Sequence, residues 1–122
     1  MDNENYRRHW EAAAAREAVI DESRRADALQ EARMAAKRLA QNYEVDRIVL
    51  FGSVLIEGAF HQHSDIDLAV SGLNGEDFYR ALGTLTMESQ FEIDLKPLDE
   101  LAGPFRRNAE QGMVLYEKGK NS

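Results

Sequence analysis

The hydrophobic and polar positions fall into two regimes that meet near residue 45. Residues 4–42 contain no Gly or Pro and are rich in Ala, Arg and Glu, which favours an uninterrupted helix. Leu29, Ala32, Ala36, Leu39 and Tyr43 recur at steps of three and four, so one face near the end of this helix is apolar and packs on the rest of the domain. The earlier part has only Tyr6, Trp10, Val19 and Ile20 as bulky positions. A helix this long extends about 55–60 Å at 1.5 Å per residue, beyond the diameter of a small domain. It must protrude, bend back or meet another chain.

From residue 46 short apolar runs alternate with helical ones. Arg47–Phe51 (RIVLF) is β-branched and apolar, ends at Gly52, and reads as a buried strand. A single helical turn is predicted over Val54–Gly58, and a second strand over Ile66–Val70. Glu76–Ser89 carries Phe78, Leu82 and Leu85 on one helical face. Phe91–Leu95 alternates apolar and acidic residues, a third strand closed by Pro97. Another helix is predicted over Asp99–Gln111, with Gly103-Pro104 near its start, and a last strand over Met113–Tyr116. The pattern predicts an α/β (α+β) fold: a short mixed sheet flanked by helices, led by a long N-terminal helix. The expected organisation is a helical arm at 1–42, a sheet domain at 43–118 and a flexible tail at 119–122.

Composition narrows the chemistry. The 122 residues allow one ordinary domain, and the absence of cysteine excludes disulfides, thiolate metal sites and cysteine nucleophiles. No apolar run approaches the roughly 18 residues of a membrane span, and MDNENYRRHW lacks the apolar stretch of a signal peptide. The expected location is the cytoplasm, without a membrane partner. The net charge is −7, and all of the excess lies after residue 42, where fourteen Asp/Glu face seven Lys/Arg. Such a domain repels a phosphate backbone, so direct nucleic-acid binding is not expected. It suits a site whose carboxylates hold a divalent metal.

Asp65 and Asp67 stand two apart at the start of a predicted strand, so both carboxylates point to one side while Ile66 turns into the core. Carboxylates so close repel unless a cation joins them, and hard oxygen donors select Mg²⁺ or Mn²⁺. Gly52-Ser53 follows directly on a buried strand; the glycine lets the backbone approach a phosphate, and the serine hydroxyl can hydrogen-bond it. Asp94, between Ile93 and Leu95, supplies a third carboxylate if its strand presents it to the same place; otherwise it shares a wet strand face with Glu92. His61 and His63 bracket Gln62 in the loop before the aspartates and are expected to be exposed loop residues. Lys96 and Arg47 lie near strand ends, where each can offset phosphate charge or serve the surface.

The stretch FGSVLIEGAFHQHSDIDLAV, with Asp94 downstream in FEIDLKPL, resembles the minimal nucleotidyltransferases of the DNA polymerase beta superfamily. The resemblance runs from about Tyr43 to Tyr116. Eleven residues separate Ser53 from Asp65, one more than the family pattern, the extra one falling in Val54–Gly58. The resemblance implies a nucleotidyltransferase fold and a Mg²⁺- or Mn²⁺-dependent transfer of AMP from ATP to a hydroxyl. Asp65, Asp67 and Asp94 would be the catalytic metal ligands, with Gly52 and Ser53 binding the nucleotide. It also implies a partner, a HEPN-type toxin whose tyrosine accepts the AMP, so that this chain acts as the antitoxin. The alternatives are transfer to a small hydroxylated molecule, or an antitoxin that neutralises its partner by binding alone. The arm, outside the resemblance, is expected to reach the toxin or a second copy of the chain.

Overall fold

A computed structural model describes residues 3–119, so the expected tail falls, beyond Gly119, outside the described residues. The elements are α1 (Asn3–Asn42), β1 (Arg47–Phe51), β2 (Ile66–Ser71), α2 (Gly75–Glu88), β3 (Ile93–Pro97), α3 (Gly103–Glu110) and β4 (Met113–Glu117). The four strands form one mixed sheet in the order β3-β2-β1-β4. The loop after β1 returns the chain antiparallel as β2, pairing Leu50 with Leu68 and Phe51 with Asp67. A parallel neighbour needs a crossover, and α2 supplies it, bringing β3 alongside β2 with Asp67 opposite Asp94. β4 closes the far edge against β1.

Alternation along the strands gives the sheet two unequal faces. Ile48, Leu50, Ile66, Leu68, Val70, Ile93 and Leu95 join the main core with Ala81 and Leu85 of α2. α1 closes this core with Ala32, Ala36 and Leu39 of the expected row and with Ala28 and Ala35 beside them, while Leu29 and Tyr43 are only partly buried against it. Alanines let the helix approach the sheet closely, and Leu39 fills the space beyond. The other face is thinner: Phe51 and Ala69 meet Ala109 of α3, with Leu98 and Leu101 beside them. Among the described residues no helix is long and apolar enough to cross a membrane.

Three expected elements are displaced, each for a local reason. The helix predicted over Asp99–Gln111 is a 3-10 turn at Leu98–Glu100 and then α3 from Gly103. Pro104 disfavours the right-handed helical conformation in the residue before it, and Gly103 instead takes φ +61°. The third strand begins at Ile93 rather than Phe91. The Phe91 amide donates to Ser89 Oγ (3.0 Å) and its ring packs 6.2 Å from that of Phe60, so pairing starts only once Ile66 N–H reaches the Glu92 carbonyl (2.8 Å). Pro97 ends an edge strand, where a missing donor leaves no ladder bond broken. The turn predicted at Val54–Gly58 is a 3-10 turn over Ser53–Leu55.

Candidate active site

The thin face of the sheet carries the polar cluster. Ile66 and Leu68 enter the main core, so Asp67 between them points the opposite way; Ile93 and Leu95 set Asp94 in the same manner. Parallel pairing places Asp67 and Asp94 directly opposite one another on neighbouring strands. Both are half-buried. Asp65 lies one residue before β2 and is exposed at its mouth.

Gly52 completes the cluster from β1. It follows Phe51, the register partner of Asp67, and takes φ +85°, ψ −157°. A Cβ built on it would collide with Asp67 Oδ2. Glycine is therefore required twice, by its conformation and by the carboxylate against its Cα. Ser53 then opens the 3-10 turn, which the Leu55 amide closes on the Gly52 carbonyl at 3.1 Å.

The electrostatics are strained in one direction. Burial, followed by the charge of Asp94, raises the Asp67 pKa from 3.8 to about 6; Asp65 adds to the rise and Lys96 opposes it. Lys96, two residues beyond Asp94 on the same face, forms an ion pair with Asp94 Oδ2 and stands 5.3 Å over the ring of Phe105 in α3. Among the described residues no three His, Asp or Glu side chains stand in the arrangement of a formed metal cage. The donor set nevertheless suits a hard divalent cation: the groups are carboxylates, and the one at their centre is destabilised as an anion by burial and then by the charge of Asp94.

Other positions resolve differently. Arg47 lies at the opposite end of β1 from Gly52, pairing with Ser71 and Glu117, and is remote from the cluster. His61 is exposed and holds α1: its Nδ1 lies 3.0 Å from Asp21 Oδ2. His63 is exposed in the loop, in a cleft with Ser64 and Asp65. Arg25 of α1 donates from Nε to the Val54 carbonyl at 2.8 Å, so the loop with the extra residue is clipped to the long helix. Lys96 was legible only as a charge near a strand end. Phe105 carried no signal, because its place beside the cluster depends on how α3 folds back.

Comparison with known proteins bears on the family and the fold. The family described as "Polymerase beta, Nucleotidyltransferase" matches residues 35–121, a stretch that begins inside α1. A chain from the crystal structure of a toxin–antitoxin with AMP-PNP is 25% identical at a TM-score of 0.59, over 74% of this chain and 75% of that one. A chain from the tri-AMPylated Shewanella oneidensis HEPN toxin in complex with MNT antitoxin is 21% identical at 0.55, over 75% and 73%. A chain from the toxin–antitoxin MntA-HepT is 21% identical at 0.56, over 74% and 73%. No curated protein sequence is significantly similar to the chain.

Proposed function

Because the chain belongs to the polymerase beta nucleotidyltransferase family, we propose that it transfers AMP from ATP to a tyrosine hydroxyl of a HEPN-type toxin and so acts as a cytoplasmic antitoxin. The observation that carries the reading is the pairing of Asp67 with Asp94 in register, with Gly52 pressed against the Asp67 carboxylate. Solved relatives of the same fold support the substrate and partner: one was captured with AMP-PNP, and another contains an AMPylated HEPN toxin.

In this reading Asp65, Asp67 and Asp94 hold Mg²⁺ or Mn²⁺. When bound, the metal supplies positive charge that offsets the triphosphate and makes the acceptor hydroxyl more acidic. Gly52 and Ser53 grip the β- and γ-phosphates, which the Cβ-free approach at Gly52 permits. Asp94 takes the acceptor proton as the tyrosine oxygen bonds to the α-phosphorus and the bond to the departing pyrophosphate breaks. Lys96 keeps Asp94 oriented and tempers the repulsion at Asp67.

The test is transfer of label from α-labelled ATP, with Mg²⁺, to a HEPN protein encoded beside this chain. Labelled toxin with an AMP-modified tyrosine, lost in Asp94→Asn, is the expected result. Label on a small molecule would redirect the reading to another acceptor. Complete inhibition of the toxin without any label would make the chain a neutraliser by contact.

A further inference from the structure

The turn that carries Ser53 is held from two sides. In front, Gly52 lies against Asp67 Oδ2 of the carboxylate cluster. Behind, the Val54 side chain is fully buried in the main core. The amides of Leu55 and Ile56 close the turn on the Gly52 and Ser53 carbonyls at 3.1 and 3.0 Å. The next carbonyl, that of Val54, takes its donor from outside the turn: Arg25 Nε of α1, at 2.8 Å. Hydrophobic contact is non-directional, so burial of Val54 leaves the peptide plane after it free to turn, whereas a hydrogen bond fixes that plane. The donor is itself held in place. Ala28 and Ala32, three and seven residues on, are buried and fix this stretch of α1 on the core. Glu22 accepts from Arg25 Nη1 at 2.9 Å, and the Arg25 side chain is only 19% exposed, so the guanidinium gives up little freedom to make the bond. One helical turn earlier, Asp21 Oδ2 meets His61 Nδ1 at 3.0 Å and holds the far end of the same loop. Both Asp21 and Arg25 precede residue 35, where the family match begins.

We propose that Arg25 is a positioning residue for nucleotide binding, and that α1 is in this respect part of the nucleotide site. By fixing the Val54 carbonyl it holds Ser53 between two anchored neighbours, with amide and hydroxyl set for the β- and γ-phosphates before the nucleotide arrives. The inference rests on the phosphate-gripping role of Gly52 and Ser53 proposed above. A turn ordered in advance binds without the entropic cost of ordering it; without the Arg25 bond that cost falls due when the nucleotide binds. A grip on the β- and γ-phosphates acts alike before and during transfer, so its loss raises KM for ATP and leaves kcat nearly unchanged. The acceptor side, at Asp94 on β3, lies two strands away from β1 and its turn and keeps its own partner, Lys96.

Side chains of matched length separate the hydrogen bond from the charge. Glutamine places a neutral N–H the same number of bonds from Cα as Arg25 Nε, whereas methionine fills the same path with no donor. Titration calorimetry of the full chain with AMP-PNP and Mg²⁺ should show Arg25→Met binding about tenfold more weakly than wild type, below the roughly hundredfold that a ~1 Å misplacement costs, and Arg25→Gln within about twofold of wild type. In transfer from ATP, KM should follow the same order while kcat stays within about twofold. Arg38→Met breaks the ion pair of Arg38 with Glu31 (3.1 Å) farther along α1 and should leave nucleotide affinity unchanged, which separates the effect from a loss of helix stability alone. Wild-type affinity in Arg25→Met, an Arg25→Gln as weak as Arg25→Met, or an equal loss in Arg38→Met would each overturn the inference and leave the role of Ser53 standing. A wild-type chain that binds no nucleotide would overturn that role and this inference together.

Discussion

Asp67→Asn is the most informative single change, because it separates what the site costs the fold from what it contributes to chemistry. In the folded chain the Asp67 pKa stands at about 6 against an ordinary 3.8, through burial and the charges of Asp94 and Asp65. The folded state therefore holds an extra proton between those values. Its contribution to stability is fully present below pH 3.8 and is lost as pH rises through about 6. Taken at face value the shift corresponds to about 3 kcal/mol at 1.36 kcal/mol per decade. The carboxylate is only half-buried, and solvent screening reduces this to about 1–1.5 kcal/mol. Asparagine keeps the shape without the charge. With EDTA present at pH 7.5, Asp67→Asn should melt about 3–6 °C above wild type, a conversion of that free energy for a domain of this size. The gap should close toward pH 4, and thermal melts across pH 4–8 measure it directly. A gap that stays flat with pH, or a variant less stable than wild type at pH 7.5, would refute the reasoning.

Three further outcomes rest on the same geometry. Gly52→Ala places a Cβ against Asp67 Oδ2 at φ +85°, so it should lower stability by about 1–3 kcal/mol in urea unfolding and reduce transfer at least tenfold. Mg²⁺ or Mn²⁺ with nucleotide should raise the melting temperature of wild type, by relieving the repulsion around Asp67, but not that of Asp65→Asn/Asp67→Asn; an equal shift in the double variant would place the metal elsewhere. Arg25→Ala removes the hydrogen bond to the Val54 carbonyl and should cost about 1–2 kcal/mol. Hydrogen exchange should then rise first in residues 53–64, and unchanged protection there would show that α1 does not hold this loop.

Much of this protein is decided locally and was legible before any tertiary contact. A 39-residue stretch without Gly or Pro becomes one helix because Ala, Arg and Glu dominate it and no helix breaker interrupts it. Ile48–Phe51 and Ile66–Val70 become strands because β-branched and apolar runs bounded by Gly or Ser have few other ways to bury themselves. Two-residue alternation alone sends Asp67 away from the core, and a glycine directly after a buried strand marks a close approach. The misplaced boundaries lie where one contact outweighed a pattern, at Phe91 packing on Phe60 and at Gly103 taking a left-handed turn ahead of Pro104. What no pattern within the chain's short segments contained is register. Asp67 meets Asp94 only because α2 carries the chain over to a parallel neighbour at one particular offset, and a slip of one residue would turn Asp94 into the core. Lys96 on Asp94, Phe105 beneath Lys96, and Arg25 clipping the loop across 29 residues likewise join segments remote in sequence. Their energies depend on distances that only the packed sheet and its helices set, whereas helix and strand are decided by neighbours a few residues away.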